Sequence, residues 1–115
     1  MAVHNINGAR AEKRTAEYLE SAGYKIIGRN WKTKWCEVDI VAEKGKCVYF
    51  VEVKYRTSPD QGGGFEYITP RKLRKMELAA RSWVEINGWQ GEYTLSAAEV
   101  SGPDFEVEFI EEILT

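Results

Sequence analysis

Apolar residues recur at the spacing of one helix face near the start of the chain. Between Asn7 and Gly23 the stripe positions are separated by 3, 4 and 3 residues, which is the period of an amphipathic helix. Asn is a favoured residue at the N-cap of a helix, and Gly is favoured just after its end. The pattern therefore predicts a first helix over residues 8–22. Its stripe consists of Ala9, Glu12, Ala16 and Leu19.

The pattern then changes to that of strands. A β-rich segment over 24–31 precedes two strand-like runs, 37–42 and 47–55, and the short polar segment 43–46 between the two runs is typical of a hairpin. The run 47–55 carries apolar residues on both faces near its start. A strand of this kind is covered on both sides, so we expect it at the centre of a sheet.

A second helix is marked at both ends. Thr69 followed by Pro70 combines an N-cap with a proline at the first helical position, and Asn87-Gly88 supplies the stop. These signals predict a helix over 70–86. Its predicted buried stripe is Leu73, Met76, Ala80, Trp83 and Val84.

Two further strand-like segments, 93–100 and 105–114, flank a turn at 101–104. The element order is then α-β-β-β-α-β-β, which predicts an α/β fold with a mixed central sheet flanked by helices. The run 57–64 contains three consecutive glycines, and we expect it to be a mobile loop.

Length and composition narrow the class of protein. The chain has 115 residues, of which 30% are charged and 43% hydrophobic, so we expect one domain over 1–115 that folds without disulfides. No apolar run approaches the roughly 18 residues of a membrane helix, and the first part of the chain lacks a signal-peptide core. These features predict a cytoplasmic protein with no membrane partner.

Few residues can supply nitrogen or sulfur chemistry. Two cysteines, Cys36 and Cys47, and one histidine, His4, are present. They are too few and too separated for a zinc site with nitrogen and sulfur ligands, and they almost exclude a nucleophile activated by histidine. Carboxylates, lysines and an oxygen-ligated metal are left as the candidate chemistry.

The small net charge of −2 hides a strong asymmetry. All 16 Lys and Arg lie in residues 1–81 beside ten Asp and Glu, whereas the other eight acidic residues lie in 82–115, which contain no Lys or Arg. Such a division indicates contact with nucleic acid about as well as it indicates a solvated acidic edge.

Carboxylates and a lysine meet on the two predicted central strands. In residues 50–54 the strand period places Glu52 and Lys54 on one face. If Lys44-Gly45 forms the tip of the hairpin, Asp39 lies opposite Phe50 and diagonal to Glu52. Asp39, Glu52 and Lys54 then project together. The alternative is an ordinary solvated sheet face.

Glu12 adds a third carboxylate, because it lies on the apolar stripe of the first helix. It is either a member of a buried ion pair or part of the same site. With Asp39 and Glu52 it can form an oxygen-ligated Mg²⁺ site, since this ion takes a few carboxylates and keeps several waters. Asp39 and Glu52 would hold the metal, Glu12 would complete its shell, and Lys54 would orient or deprotonate the attacking water in phosphodiester hydrolysis.

Basic residues near these positions are candidates for binding phosphate. One group opens the second helix, and another is interleaved with Trp31 and Trp35 in the manner of a patch on which bases stack. The alternatives are helix solubility for the first group and core packing for at least one tryptophan. The nucleic-acid-binding candidates are Lys32, Lys34, Arg56, Arg71, Lys72 and Lys75.

Six segments together resemble the YraN-like proteins. They are residues 7–12 (NGARAE), 16–19 (AEYL), 23–27 (GYKII), 29–31 (RNW), 37–42 (EVDIVA) and 50–56 (FVEVKYR). This family has a restriction-endonuclease-like fold and is similar to archaeal Holliday junction resolvases. The resemblance runs from about residue 7 to the second helix, and the family usually has glycine where Ala11 and Cys36 stand.

The resemblance implies a PD-(D/E)xK nuclease core. Asp39 corresponds to the aspartate of PD, Glu52 and Lys54 to the (D/E)xK pair, and Glu12 to the acidic residue of the first helix. It implies an endonuclease that uses Mg²⁺ or Mn²⁺ on DNA, including branched DNA, and that acts as a homodimer. The alternatives are a catalytically inactive nucleic-acid-binding module of the same fold and a small protein-interaction domain.

Overall fold

The computed structural model describes residues 3–56, 65 and 67–113 of the chain. The predicted order of elements is confirmed, and the expected loop over 57–64 lies outside the described residues. The elements are α1 (Val3–Ser21), β1 (Lys25–Lys32), β2 (Glu37–Lys44), β3 (Cys47–Arg56), α2 (Pro70–Asn87), β4 (Glu92–Ser101) and β5 (Glu106–Ile110).

The helix ends follow their sequence signals except at the start of α1. Thr69 accepts a hydrogen bond from the backbone N–H of Lys72 at 3.1 Å, and Gly88 closes α2 with a left-handed φ of 64°. Gly23 closes α1 with a φ of 94°. The prediction of Asn7 as N-cap is wrong, because α1 begins at Val3 and passes through Asn7. An interior Asn costs a helix less than about 1 kcal/mol, so this residue alone does not set a boundary.

The five strands form one sheet in chain order, from β1 to β5. Strands β3 and β4 are parallel and the other neighbours are antiparallel. The connection between β3 and β4 contains α2, as a crossover between parallel strands requires. The sheet is therefore mixed, and the α/β fold class is confirmed.

Helices α1 and α2 cover opposite faces of the sheet. Phe50 and Val48 pack with Trp83 of α2, whereas Tyr49 and Val51 pack with Leu19 of α1. Because neighbouring strand residues point to opposite faces, β3 is covered on both sides. The predicted central position of this strand is confirmed.

The hairpin between β2 and β3 has a different register from the one expected. Lys44 pairs with Cys47 and Ile40 pairs with Val51, so the tip is Gly45-Lys46 and Asp39 does not face Phe50. Gly45 has a φ of 64°, and a two-residue turn accommodates such a glycine at its first central position. The predicted hairpin places Gly45 at the second central position of the turn, which shifts every expected residue pair between β2 and β3.

This register gives the sheet two distinct ends. The hairpin end carries the turn at 45–46, and the open end lies where β1 and β3 finish and β2 begins. Continuing the ladder beyond its last pair brings Asp39 opposite Glu52, closer than the predicted diagonal. Among the described residues, neither helix is long and apolar enough to cross a bilayer.

Candidate active site

Asp39 lies where the regular alternation of β2 breaks. In a regular strand, two residues separated by one position share a face. Val38 nevertheless belongs to the apolar cluster under α2 that contains Phe50 and Trp83, whereas Ile40 belongs to the cluster under α1 that contains Leu19. β2 keeps a constant register with β1 here, but its pairing with β3 ends at Ile40, and Asn30 of β1, across from Asp39, has a φ of 52°. Irregularities of this kind re-aim a side chain and end pairing between strands.

The side chain of Asp39 takes the place of the next backbone hydrogen bond between β2 and β3. Its Oδ2 accepts a hydrogen bond from the backbone N–H of Val53 at 2.8 Å. Desolvation by burial is the main cause that raises the pKa of Asp39 to about 7, and the charge of Glu52 raises it further, against the hydrogen bond from Val53. A carboxylate with a pKa near neutrality is a marker of a functional site.

Glu52 lies on β3 and is held by an ion pair. Its Oε2 is 2.9 Å from Nζ of Lys72, and the Glu52 side chain is 19% exposed. Lys72 occupies the first turn of α2, whose start is fixed by the Thr69 cap. Lys72, one of the predicted phosphate-binding residues, therefore lies beside the carboxylate of Glu52, because the start of α2 places it there.

Glu12 faces the same region from α1. Burial raises the pKa of Glu12, and Arg29 and Asn30 oppose the increase. The charges of Glu37 and Glu52 also raise this pKa. Glu12 is thus half-buried and within electrostatic range of the other carboxylates. The hypothesis of an ordinary ion pair explains why Arg29 lies near Glu12, but it does not explain the other acidic groups around Glu12.

Lys54 extends from the end of β3 into solvent. Its strand position puts it on the face of Glu52, two residues earlier. It forms no ion pair with Glu12, Asp39 or Glu52, all of which the structure describes. The structure therefore brings the carboxylates into one electrostatic cluster and leaves Lys54 beside it.

The carboxylate set fits a hard divalent cation only in part. Within residues 3–56, 65 and 67–113, no three His, Cys, Asp or Glu side chains are gathered closely enough to form a metal site. Asp39 and Glu52 are nevertheless mutually repelling acids in a poorly solvated position, which a cation would relieve. Two carboxylates suffice for Mg²⁺, because this ion usually keeps several waters. Glu12 would then act through a water.

A basic cavity of about 380 Å³ opens beside Glu52. Trp35 forms part of its wall, and this residue is 80% exposed. Trp31 instead packs against the cluster under α2, so the two tryptophans divide between the surface and the core. The cations that line the cavity are Lys32, Lys34, Lys72 and Lys75.

Two predicted phosphate-binding arginines have different environments. Arg71 is exposed on the first turn of α2. Arg56 is directed inward, where its Nε is 2.8 Å from Oε2 of Glu99 and its side chain is 11% exposed. A paired and buried guanidinium is a poor first contact for a phosphate, so the position of Arg56 favours a structural role.

Glu99 and Tyr67 adjoin the site and were not expected there. Tyr67 donates a hydrogen bond to the carbonyl of Ala98 at 3.4 Å. Burial, followed by the charges of Glu52 and Glu99, raises the pKa of Tyr67. The available signal was a single acid within the buried run 95–100, because a buried carboxylate requires a partner.

Comparison with known proteins places the chain in a family and a fold. The structure of Hjc, a Holliday junction resolvase from Archaeoglobus fulgidus, matches with a TM-score of 0.57 at 21% identity, covering 90% of this chain and 76% of that chain. This likeness confirms the resolvase-like α/β fold.

Relatives in sequence span nearly the same length. A UPF0102 protein of Cytophaga hutchinsonii is 31% identical over 108 residues, which cover 94% of this chain and 96% of the relative. A UPF0102 protein of Geobacter sulfurreducens is 39% identical over 105 residues, covering 88% of this chain and 82% of the relative. The model of the uncharacterised protein family UPF0102 matches residues 11–108. The chain therefore belongs to UPF0102, the family of the YraN-like proteins.

Proposed function

We propose that this protein hydrolyses phosphodiester bonds of DNA with the help of a divalent cation. The observation that carries the proposal is the pair formed by Asp39 and Glu52, two acids that repel each other in a poorly solvated position beside a lysine-lined cavity. Repulsion between the acids favours a cation, and the lysines favour a polyanion. The fold shared with Hjc, a Holliday junction resolvase, supports branched DNA as a substrate.

In this proposal Asp39 and Glu52 hold Mg²⁺ or Mn²⁺. The bound cation would polarise a phosphoryl oxygen and lower the pKa of a water. The hydrogen bond from Val53 to Asp39 fixes the carboxylate, because the donor belongs to the central strand. A ligand held on a rigid strand loses little freedom when a cation binds.

Lysines supply the remaining functions. Lys54 is exposed on the same face as Glu52, so its Nζ is available to orient the attacking water or to balance charge on the phosphate. Lys72 neutralises Glu52 at 2.9 Å. When a cation takes over that role, the ammonium of Lys72 is free to contact the DNA backbone.

The ion pair between Lys72 and Glu52 also supports a second candidate function. It already satisfies one proposed metal ligand, as expected for a nucleic-acid-binding module that does not cleave. In that case the basic cavity would bind DNA with a steep salt dependence, and adding a divalent cation would produce no cleavage.

A cleavage assay distinguishes the two functions. Linear, flapped and four-way-junction DNA are incubated with Mg²⁺ or Mn²⁺, using the wild type, Asp39→Asn and Glu52→Gln. The nuclease proposal expects cleavage by the wild type and a loss of about 10³-fold or more in each variant, the scale of strong electrostatic contributions to catalysis. The matched control is Glu112→Gln, since Glu112 is exposed and lies at the hairpin end.

Equal cleavage by the wild type and both site variants would overturn the assignment of the site. Binding without cleavage on every substrate would favour the inactive module.

The proposal extends to a homodimer, because a two-fold symmetric pair would present two copies of the site to a junction. Light scattering at assay concentration should then give twice the mass of the 13.2 kDa chain.

A further inference from the structure

Trp35 is exposed to a degree that packing within the chain does not explain. The residue is 80% exposed, the largest value among the big apolar residues that the structure describes. A tryptophan is one of the largest apolar surfaces that a residue can bury. An indole left in water at the wall of a cavity is therefore available to a ligand.

The turn that carries Trp35 is braced. Thr33 and Cys36 close it with a backbone hydrogen bond of 2.8 Å from the N–H of Thr33 to the carbonyl of Cys36. The Thr33 hydroxyl oxygen also accepts hydrogen bonds from the backbone N–H groups of Trp35 and Cys36, both at 3.2 Å. The backbone under the indole is thus ordered before any ligand binds, which lowers the entropic cost of binding.

Lysines lie on the same cavity wall as the exposed ring. The ammonium of Lys34 lies 5.2 Å from the centre of the Trp35 ring, and Lys75 lines the same cavity. An aromatic face beside cations is the combination by which proteins bind single-stranded nucleic acid, through base stacking and phosphate contacts. The cavity volume of about 380 Å³ is within the usual range for small ligands, roughly 300–1,000 Å³.

We propose that Trp35 stacks against an unpaired base of the DNA and that Lys34 and Lys75 contact the adjoining phosphates. Glu52 lines the same cavity, so a strand held in this way passes beside one of the proposed metal ligands. A base inside a duplex is already stacked on both faces and is not available to the indole. Trp35 therefore selects DNA that is frayed, flapped or branched next to the site.

This inference specifies the substrate class of the proposed nuclease site, and its test does not require cleavage. Affinity is measured in EDTA for two DNAs of equal length, one fully paired and one ending in unpaired arms. The proteins are the wild type, Trp35→Ala, Trp35→Leu and Trp35→Phe. Trp35→Leu keeps an apolar side chain without an aromatic face, whereas Trp35→Phe keeps a smaller aromatic face.

We expect Trp35→Ala and Trp35→Leu to weaken binding of the DNA with unpaired arms by about tenfold, the scale of one lost base stack. Binding of the paired DNA should change by less than about twofold, because its contacts are electrostatic. Trp35→Phe should retain most of the affinity for unpaired arms. Quenching of indole fluorescence by the unpaired arms should disappear in Trp35→Phe.

Equal affinities of the wild type, Trp35→Ala and Trp35→Leu for unpaired arms would overturn the inference. An equal loss for both DNAs would also overturn it, since that pattern indicates a general change in the surface. Selective binding through Trp35 without any cleavage would contradict the nuclease proposal and leave this inference standing. Cleavage of every substrate by Trp35→Ala at the wild-type rate would contradict this inference and leave the nuclease proposal standing.

Discussion

The two ends of the sheet both carry carboxylates and a cavity, but their chemistry differs. The cavity at the hairpin end is the larger, about 490 Å³ against 380 Å³ beside Glu52. Its described lining includes three glutamates and no Lys or Arg, whereas four lysines line the cavity at the open end. Cavity size is therefore no guide to the proposed site, which rests on the combination of crowded acids and nearby cations.

Solvation explains why the two sets of acids behave differently. Glu92, Glu111 and Glu112 at the hairpin end are exposed, so water stabilises their charges. Asp39 at the open end is half-buried, and burial together with Glu52 raises its pKa to about 7. Of these two described sets of acids, the set at the open end has the electrostatic repulsion that a bound cation would relieve.

After the variants at Asp39 and Glu52, the largest effect that separates the ends is expected from Lys54→Ala. If Lys54 acts on the attacking water or on the phosphate, cleavage should fall by about 10²–10³-fold, the usual size of a general acid–base or electrostatic contribution. The measurement is the single-turnover rate on four-way-junction DNA. Lys46→Ala is the matched control, because Lys46 is an exposed lysine in the hairpin turn. Similar rates for both variants would remove the distinction between the ends.

A divalent cation should stabilise the protein through the open end. At pH 8 and about 100 times the dissociation constant, Mg²⁺ or Mn²⁺ should raise the Tm by about 5–10 °C. The increase should be smaller at pH 5.5, because Asp39 with a pKa of about 7 is mainly protonated there. Thermal unfolding monitored by circular dichroism measures both values.

Variants assign this stabilisation to one end. Asp39→Asn should lose most of the increase in Tm, while Glu112→Gln should keep it, since Glu112 is an exposed acid of the hairpin end. A cation effect that survives Asp39→Asn and disappears in Glu112→Gln would move the metal site to the hairpin end.

Without metal, Asp39 itself should make stability depend on pH. Its pKa is raised in the folded state from the ordinary value of 3.8 to about 7. The stabilising contribution is therefore complete below about pH 4 and is lost as pH rises through 7. Asp39→Asn, whose amide oxygen still accepts from Val53, should gain about 1–2 kcal/mol at pH 8 and almost nothing at pH 4. Urea unfolding in EDTA at the two pH values measures the gain, and an equal gain at both would contradict the raised pKa.

The smallest effect concerns the hairpin end alone. The buried Tyr24 donates a hydrogen bond to Glu111 through its hydroxyl. Tyr24→Phe should lower the free energy of unfolding by about 1 kcal/mol, as for a single lost hydrogen bond, and should leave DNA cleavage unchanged. Urea unfolding and the cleavage rate are the two readouts. A large loss of cleavage with little loss of stability would show that the ends are coupled.

Local sequence signals predicted most of the fold because they act within a few residues. The Thr69 cap and the Gly88 stop define α2 by backbone chemistry that needs no distant partner. The start of α1 was missed because residues with weak helix propensity are tolerated inside a helix. The hairpin register was missed because one turn position for Gly45 shifts every cross-strand pair.

The residues of the candidate site could be predicted from the sequence, but the contacts between them could not. Strand periodicity placed Glu52 and Lys54 on one face, yet nothing local indicated that Lys72, twenty residues further along the chain from Glu52, would pair with it at 2.9 Å. The same holds for Arg56, which resembled an exposed cation in the sequence but pairs with Glu99 from the neighbouring parallel strand. Ion pairs between elements depend on tertiary packing, which local patterns do not encode.

The hydrogen bond from the Val53 amide to Asp39 gives the protein an internal spectroscopic reporter. The amide proton of Val53 is deshielded by the charge of the carboxylate that accepts it. Protonation of Asp39 or binding of a cation withdraws that charge, so the Val53 resonance should shift with the occupancy of the site. One backbone amide signal in an NMR spectrum can therefore follow the ionisation of a half-buried carboxylate without any substrate.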